Sequence, residues 1–258
     1  MHDAGGAALI GCALDVETTG LDHRRHSIIE LALQRFWADA SGRILATGRR
    51  HAWFEDPGVP ITEEITMLTG IRQEDVAGRS IFDPEAASLI ADAHFVVAHN
   101  ATFDRPFVER RLPFAAGRPW VCSMRDVDWR EHGYEGRALN HLLMQMGWFY
   151  DAHRAQSDVT ALLHLLDHPL GLGTVLRTAV RQARKPTWRV VAAEAPFSAR
   201  TILKERGYRW TSEARLWSRE VPEHGLDQEI GWACQHVYSG RSRPRYSRIT
   251  WSERYAAS

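Results

Sequence analysis

The sequence predicts an α/β or α+β domain with a mixed sheet, followed by a small α+β module. Three observations carry that reading. Apolar runs of strand length come first and then interleave with segments of helical period. The pattern changes after Arg181-Gln182-Ala183-Arg184-Lys185-Pro186, a basic stretch closed by proline. The charge divides at the same place. The 258 residues carry 32 basic and 32 acidic side chains, but residues 1–176 hold 16 Arg against 24 acids, a balance of −8. Residues 177–258 hold 14 Arg and 2 Lys against 8 acids, a balance of +8. Arg-richness by itself also follows from a high-GC genome. The asymmetry instead suggests a nucleic-acid-facing arm on an acidic body.

Taken in order, Ala8-Leu9-Ile10-Gly11-Cys12-Ala13-Leu14-Asp15-Val16 is a buried strand. Ile28 to Trp37 and Ile44 to Phe54 form a hairpin around Ala38-Asp39-Ala40-Ser41-Gly42-Arg43. Short helices are expected at 62–69 and 83–92, then a strand at His94-Phe95-Val96-Val97-Ala98 running into His99-Asn100. Further helices follow at 102–111, 138–146 and 155–167, the last stopped by Pro169. In the module, Trp188 to Ala192 reads as a strand and Ser198 to Arg206 as a helix closed by Gly207. Tyr208-Arg209-Trp210 and Leu216 to Val221 read as a hairpin, and 226–239 as a last helix, giving βαββα. The predicted organisation is therefore a domain at 1–176, a basic linker at 177–186, the module at 187–240 and a disordered Arg-rich tail at 241–258.

Composition excludes several classes. With 44% hydrophobic and 25% charged residues the chain is globular, and no apolar run reaches the ~18 residues of a membrane span. The first residues lack the basic start and apolar core of a secretory signal. Three distant cysteines, Cys12, Cys122 and Cys234, make neither a disulfide framework nor a metal motif, which fits a cytoplasmic location.

The chemistry concentrates in three segments. In Asp15-Val16-Glu17-Thr18-Thr19-Gly20, side chains two apart on a strand share a face, so Asp15 and Glu17 project together. Paired carboxylates at the end of a buried strand repel one another unless a cation lies between them, and hard oxygen donors suit Mg²⁺ or Mn²⁺. Read alone, the pair is also compatible with solvated acids beyond a strand end. Asp104, in His99-Asn100-Ala101-Thr102-Phe103-Asp104, falls in the first turn of a helix, where the dipole favours an anion. Asp158, in His153-Arg154-Ala155-Gln156-Ser157-Asp158, has Leu162 and Leu165 on its own helical face and needs a partner there. His153 stands just before that helix.

In this order and context, Asp15–Glu17, Asp104 and His153–Asp158 resemble the DEDDh class of DnaQ-like 3′→5′ exonucleases, over about residues 8–168. Met67-Leu68-Thr69-Gly70-Ile71 and Val97-Ala98-His99-Asn100-Ala101 extend the resemblance. It implies an RNase H-like mixed central sheet flanked by helices, and two-metal hydrolysis with Mg²⁺ or Mn²⁺ ions ~4 Å apart. By the same resemblance Asp15, Glu17 and Asp158 hold the first metal. Asp15 also touches the second, with Asp104 acting through water. His153 is the general base, and the products are nucleoside 5′-monophosphates released from a free 3′-OH.

The resemblance assigns substrate contacts to Thr18, Thr19, Gly20 and Leu21. Asn100 is assigned to orienting the Asp104 loop and Phe103 to the terminal bases, although Phe103 reads first as a buried core aromatic. Trp148-Phe149-Tyr150 offers at most one or two stacking rings. The module resembles one appended to some bacterial members of the family. Its Trp188, Trp210 and Trp217 read either as part of a single-strand surface with the interleaved Arg or as a small core; it also offers a place for a protein partner. The expected activity is 3′→5′ hydrolysis of single-stranded or frayed DNA, in a repair or proofreading setting. RNA trimming, or a non-catalytic 3′-end or polymerase-binding subunit, are the alternatives.

Overall fold

The computed structural model describes residues 9–150, 154–212 and 214–256. They form two compact units, one reaching to Ala183 and including Tyr255, the other spanning Arg184–Arg254.

The first unit begins with three antiparallel strands, β1 (Leu9–Thr18), β2 (Ile28–Ala38) and β3 (Ile44–Phe54). Asp39 fixes the hairpin between the last two by accepting from the backbone amides of Ser41 and Arg43. Helix α1 (Glu63–Thr69) is capped by the Thr62 hydroxyl and ended by Gly70 at φ 71°. Helices α2 (Gln73–Val76) and α3 (Asp83–Ala91) follow, then β4 (Phe95–Ala98), α4 (Ala101–Arg111) and β5 (Trp120–Cys122). Strands β4 and β5 join parallel to β1, giving a mixed sheet in the order β3-β2-β1-β4-β5. This is the RNase H-like architecture the motifs imply. The sequence missed α2 and β5, because three or four residues are too few to show a period.

Helices α5 (Leu139–Gln145) and α6 (Ala155–Asp167) complete the layer that covers the sheet on the β1–β2 side. One sheet face is the main core: Cys12, Leu14 and Val16 of β1 pack there with Leu31, Leu33, Val96, Phe107 and Trp120. Asp15 and Glu17 therefore point to the opposite face, toward α6. A two-stranded ribbon, β6 (Pro169–Leu170) with β7 (Gly173–Thr174), leads into α7 (Val175–Ala183).

That helix replaces most of the expected linker. Val175, Leu176, Ala179, Val180 and Ala183 recur at helical spacing and are buried, while Arg177 and Arg181 take the other side. Charge alone makes the stretch resemble a linker; its apolar stripe makes it part of the first unit.

The second unit contains β8 (Thr187–Ala192), α8 (Arg200–Arg206), β9 (Arg209–Thr211), β10 (Leu216–Pro222), α9 (Leu226–His236) and β11 (Arg245–Ile249). The sheet is antiparallel in the order β11-β8-β10-β9, with both helices packed on one face. The tail expected to be disordered thus supplies an edge strand. Its Arg-rich composition hid the backbone pairing with β8, which asks little of side chains. Among the described residues, no helix is long and apolar enough to cross a membrane. Cys12 and Cys122 are buried and unpaired, filling the core as small apolar side chains.

Candidate active site

The site lies where the sheet stops pairing. Strand β1 is paired to β4 only from Gly11 to Ala13, so its edge is bare at Asp15–Glu17. Helix α4 closes that gap. Asn100 turns the chain with φ 80°, ψ 46°, a left-handed conformation that Asn tolerates. The turn delivers Asp104, only 2% exposed, whose carboxylate accepts hydrogen bonds from its own amide and from that of Val16. On the far face, α6 brings Asp158 in its first turn against β1.

Donor oxygens of Asp15, Glu17 and Asp158 all lie within 4.8 Å of one another. Burial pushes the Asp15 carboxyl well above its ordinary range, and repulsion from Asp104, Asp158, Glu17 and Glu30 adds to the shift. Burial also raises Glu17, helped by Asp158 and Glu30 and opposed by Arg154, to about 8. Asp104 rises for the same first reason, although its backbone hydrogen bonds resist. Carboxylates held this close and at least half-buried are a standing repulsion that a divalent cation relieves.

Two residues that the sequence does not assign to the acid cluster join them. Glu30 lies directly across the β1–β2 ladder from Glu17 and is 1% exposed. Its Oε2 accepts from the backbone amide of Ala155 at 3.1 Å and from Arg154 Nε at 3.3 Å, so β2 caps the start of α6. Its Oε1 is buried with no hydrogen bond to a described residue. The signal was present: one acid inside the apolar run Ile28-Ile29-Glu30-Leu31-Ala32. Tyr150 is the second. Its hydroxyl donates to Asp158 Oδ1 at 2.7 Å, while the Arg154 amide donates to Oδ2 at 3.1 Å.

The remaining expected residues divide. His153 lies outside the described residues. Thr18 is buried and its hydroxyl donates to the Gly20 carbonyl at 2.7 Å; the Thr19 hydroxyl accepts from the Ser27 amide at 3.0 Å. Gly20 leaves room for the His26 ring, which a Cβ would meet at 2.4 Å. These bonds shape the loop after β1, and they leave Leu21 86% exposed beside it. Phe103 is half-buried, packed on the core and on Phe107 with ring centroids 5.1 Å apart, so at least part of its role is structural. His99 bonds Ser123 and the Arg137 carbonyl, and burial lowers its pKa to about 4, which keeps it a neutral structural link. Of the aromatic triplet, Trp148 packs on His164 with the rings tilted by 36°, Phe149 is exposed and Tyr150 faces the acids.

An RNase H-like sheet whose central strand ends in paired acids, met by acids from two helices, defines a nuclease-type site. Comparison with known proteins agrees. The exonuclease family named for RNase T matches residues 12–166, more than half of the sequence, and the chain belongs to that family. The PolC-type DNA polymerase III of Halalkalibacterium halodurans is 37% identical over 171 residues, covering 59% of this chain and 11% of that protein. The 3′-5′ exonuclease DinG of Bacillus subtilis is 31% identical over 162 residues, covering 59% of this chain and 17% of that one. The match thus spans only a tenth to a sixth of these relatives. A zinc-bound complex of E. coli exonuclease I with single-stranded DNA shares the fold at TM-score 0.52 and 15% identity, over 83% of this chain and 63% of that one.

Proposed function

We propose that the protein is a metal-dependent 3′→5′ exonuclease that releases nucleoside 5′-monophosphates from the free 3′-OH ends of single-stranded or frayed DNA. The observation that carries the proposal is the convergence of Asp15, Glu17 and Asp158 oxygens within 4.8 Å on the sheet face covered by α6, with Glu30 buried beside them. A binding-only domain has no physical need for such a costly cluster. The donor set is all carboxylate and therefore fits Mg²⁺ or Mn²⁺, held by Asp15, Glu17 and Asp158, with Asp104 beside Asp15 supporting a second ion. Bound there, the ions supply a polarised water and neutralise charge developing on the phosphate.

The chain's own groups do the rest. Asp104 is braced on the Val16 amide, so its carboxylate stays aimed along the end of β1. Glu30 anchors the start of α6 and thereby holds Asp158 in register with Asp15. Tyr150 and the Arg154 amide fix the two Asp158 oxygens in orientation. Family likeness assigns proton transfer from the attacking water to His153, whose ordinary pKa of ~6.5 suits neutral pH. The loop Thr18-Thr19-Gly20-Leu21 offers the terminal nucleotide a shaped wall with one exposed aliphatic side chain.

The test compares wild type with Asp15→Ala and His153→Ala on 3′-OH DNA and RNA oligonucleotides in Mg²⁺. Wild type is expected to release mononucleotides, preferentially from single-stranded DNA, and both variants to lose that activity. If wild type releases none, or the variants match it, the proposal fails and a non-catalytic end-binding role takes its place.

A further inference from the structure

The second unit sorts its arginines into two kinds. Arg206 and Arg219 lie on the helix-covered side and both bind Glu229, whose side chain is 3% exposed, with Arg219 Nη1 2.7 Å from Oε2. These hold α9 to the sheet. Arg189, Arg209 and Arg245 lie on the other face. The register decides this. Trp188, Val190 and Ala192 of β8 point to the helices, so Arg189 and Val191 point away. Arg245 pairs with Val191, Ser218 pairs with Val191 on the other side, and Arg209 pairs with Ser218. Arg245, Val191, Ser218 and Arg209 thus form one row across all four strands. Ser247 and Glu220 flank Arg189 in the next row.

No helix of this unit packs on that face. Arg209 and Arg245 are exposed and Arg189 is half-buried. Among the described residues neither the Arg189 nor the Arg209 side chain has an ion pair or hydrogen bond, and Arg245 meets only the exposed Glu194 at 3.7 Å. Among the described strand residues of the face the one acid, Glu220, is already engaged by Arg254 at 3.3 Å and by the Thr187 hydroxyl. What remains is a strip of three arginine forks, two exposed and one half-buried, with the hydroxyls of Ser218 and Ser247 among them and that of Thr211 one row beyond. At ~4.8 Å per strand the row from Arg245 to Arg209 spans ~14 Å.

We infer that this open sheet face binds the sugar-phosphate backbone of single-stranded DNA, holding the substrate strand independently of the catalytic acids; the identity of that strand rests on the exonuclease reading. The ligand class follows from charge: among the described residues three arginines face two acids there, Glu194, which is exposed, and Glu220, which Arg254 already engages, and the surplus of planar donor forks with interspersed hydroxyls matches a polyphosphodiester. The aromatic side chains are elsewhere. Trp188 and Trp217 pack toward the helices, and Trp210 lies beside Trp217 on that same side. The face therefore reads phosphates without stacking bases, and its binding is indifferent to base sequence and steeply dependent on salt.

The experiment uses the full chain in EDTA and fluorescence anisotropy with a roughly thirty-nucleotide single-stranded DNA. The variant Arg189→Gln/Arg209→Gln/Arg245→Gln is compared with Arg200→Gln/Lys204→Gln/Arg241→Gln, which removes the same charge from other places in the unit. The open-face variant is expected to lose at least about tenfold in affinity. Its slope of log K against log salt should fall by about 2, three contacts at ~0.7 each. The control variant should lose much less, and both should melt like wild type. Cleavage of a dinucleotide in Mg²⁺ is followed in parallel and should be unchanged in both. Equal losses in the two triple variants, or an unchanged salt slope, overturn the inference; so does polyglutamate competing as well as DNA at equal charge, which points to an acidic protein partner. If wild type cleaves nothing yet the open-face variant alone loses DNA binding, the exonuclease reading fails and the surface stands. Cleavage by wild type with full binding by the open-face variant overturns the surface and leaves the exonuclease standing.

Discussion

Both sheets put charge on one face by the same two-residue alternation, but in opposite surroundings. In the five-stranded sheet, Asp15 and Glu17 point under α6, with Glu30 buried alongside and Asp104 at the strand end. In the four-stranded sheet, Arg189, Arg209 and Arg245 point away from the helices. Buried like charges repel strongly, raise one another's pKa and call for a cation at a defined point. Open like charges cost little and act through water over a distance set by salt. One arrangement makes a site, the other a surface, and the difference is whether a helix lies on top.

The sharpest way to break the comparison is to remove a charge from the buried cluster. Asp15→Asn should reduce mononucleotide release on the order of 10³-fold, yet raise the melting temperature of metal-free protein by relieving repulsion. A variant that loses activity but melts lower would show that the cluster is not strained. Next in size, Glu30→Gln keeps the shape of the side chain but weakens the anchor on Ala155 and Arg154. Activity and Mn²⁺ affinity should fall ~10–100-fold, as for residues that orient metal ligands, with little change in DNA binding in EDTA. Equal losses in both would instead mean a general loss of structure.

The pH response of the metal-free protein comes third. Glu17 holds its proton up to about 8, against ~4.3 in an unfolded chain, and Asp15 and Asp104 shift the same way. The native state then binds more protons than the unfolded one between those values, so stability falls as pH rises from ~5 through 8. Melting in EDTA at pH 8.5 should lie several degrees below that at pH 5.5, and Mg²⁺ should narrow the gap; a flat profile contradicts the buried-charge account. The smallest effect belongs to Tyr150→Phe. It removes one of the two bonds that orient Asp158, so Mn²⁺ affinity, read by calorimetry, should fall a few-fold and turnover with it. Tighter metal binding would mean that the hydroxyl competes for Asp158 more than it orients it.

How much of this was legible in the sequence follows the same physics. Asp15 and Glu17 could be read because a strand has period 2 and the run before them is apolar; Asp158 could be read because helical spacing links it to Leu162 and Leu165. Glu30 was hidden since its meaning depends on β1–β2 register, which pairs it with Glu17 from a different part of the chain. Tyr150 escaped for a similar reason: its partner is eight residues away across a turn. In the second unit, Arg and Trp interleaved along the sequence suggested a mixed binding surface, but alternation sends most of them to opposite faces. Composition misled at both margins of that unit. Arg177 and Arg181 masked the buried stripe of α7, and the arginines of 241–254 masked β11.

Strand β11 has a practical consequence for anyone who shortens the chain. It covers one edge of β8, pairing Arg245 through Ile249 with Val191 back to Thr187. Deleting 241–258 as a dispensable appendage would leave the unpaired amides and carbonyls of Thr187-Trp188-Arg189-Val190-Val191-Ala192 facing solvent. That segment is β-branched and aromatic, with only one charge to discourage a second chain from adding there. Such a truncated protein should self-associate through exchanged or stacked strands, and the loss of solubility could be mistaken for the loss of a DNA-binding tail.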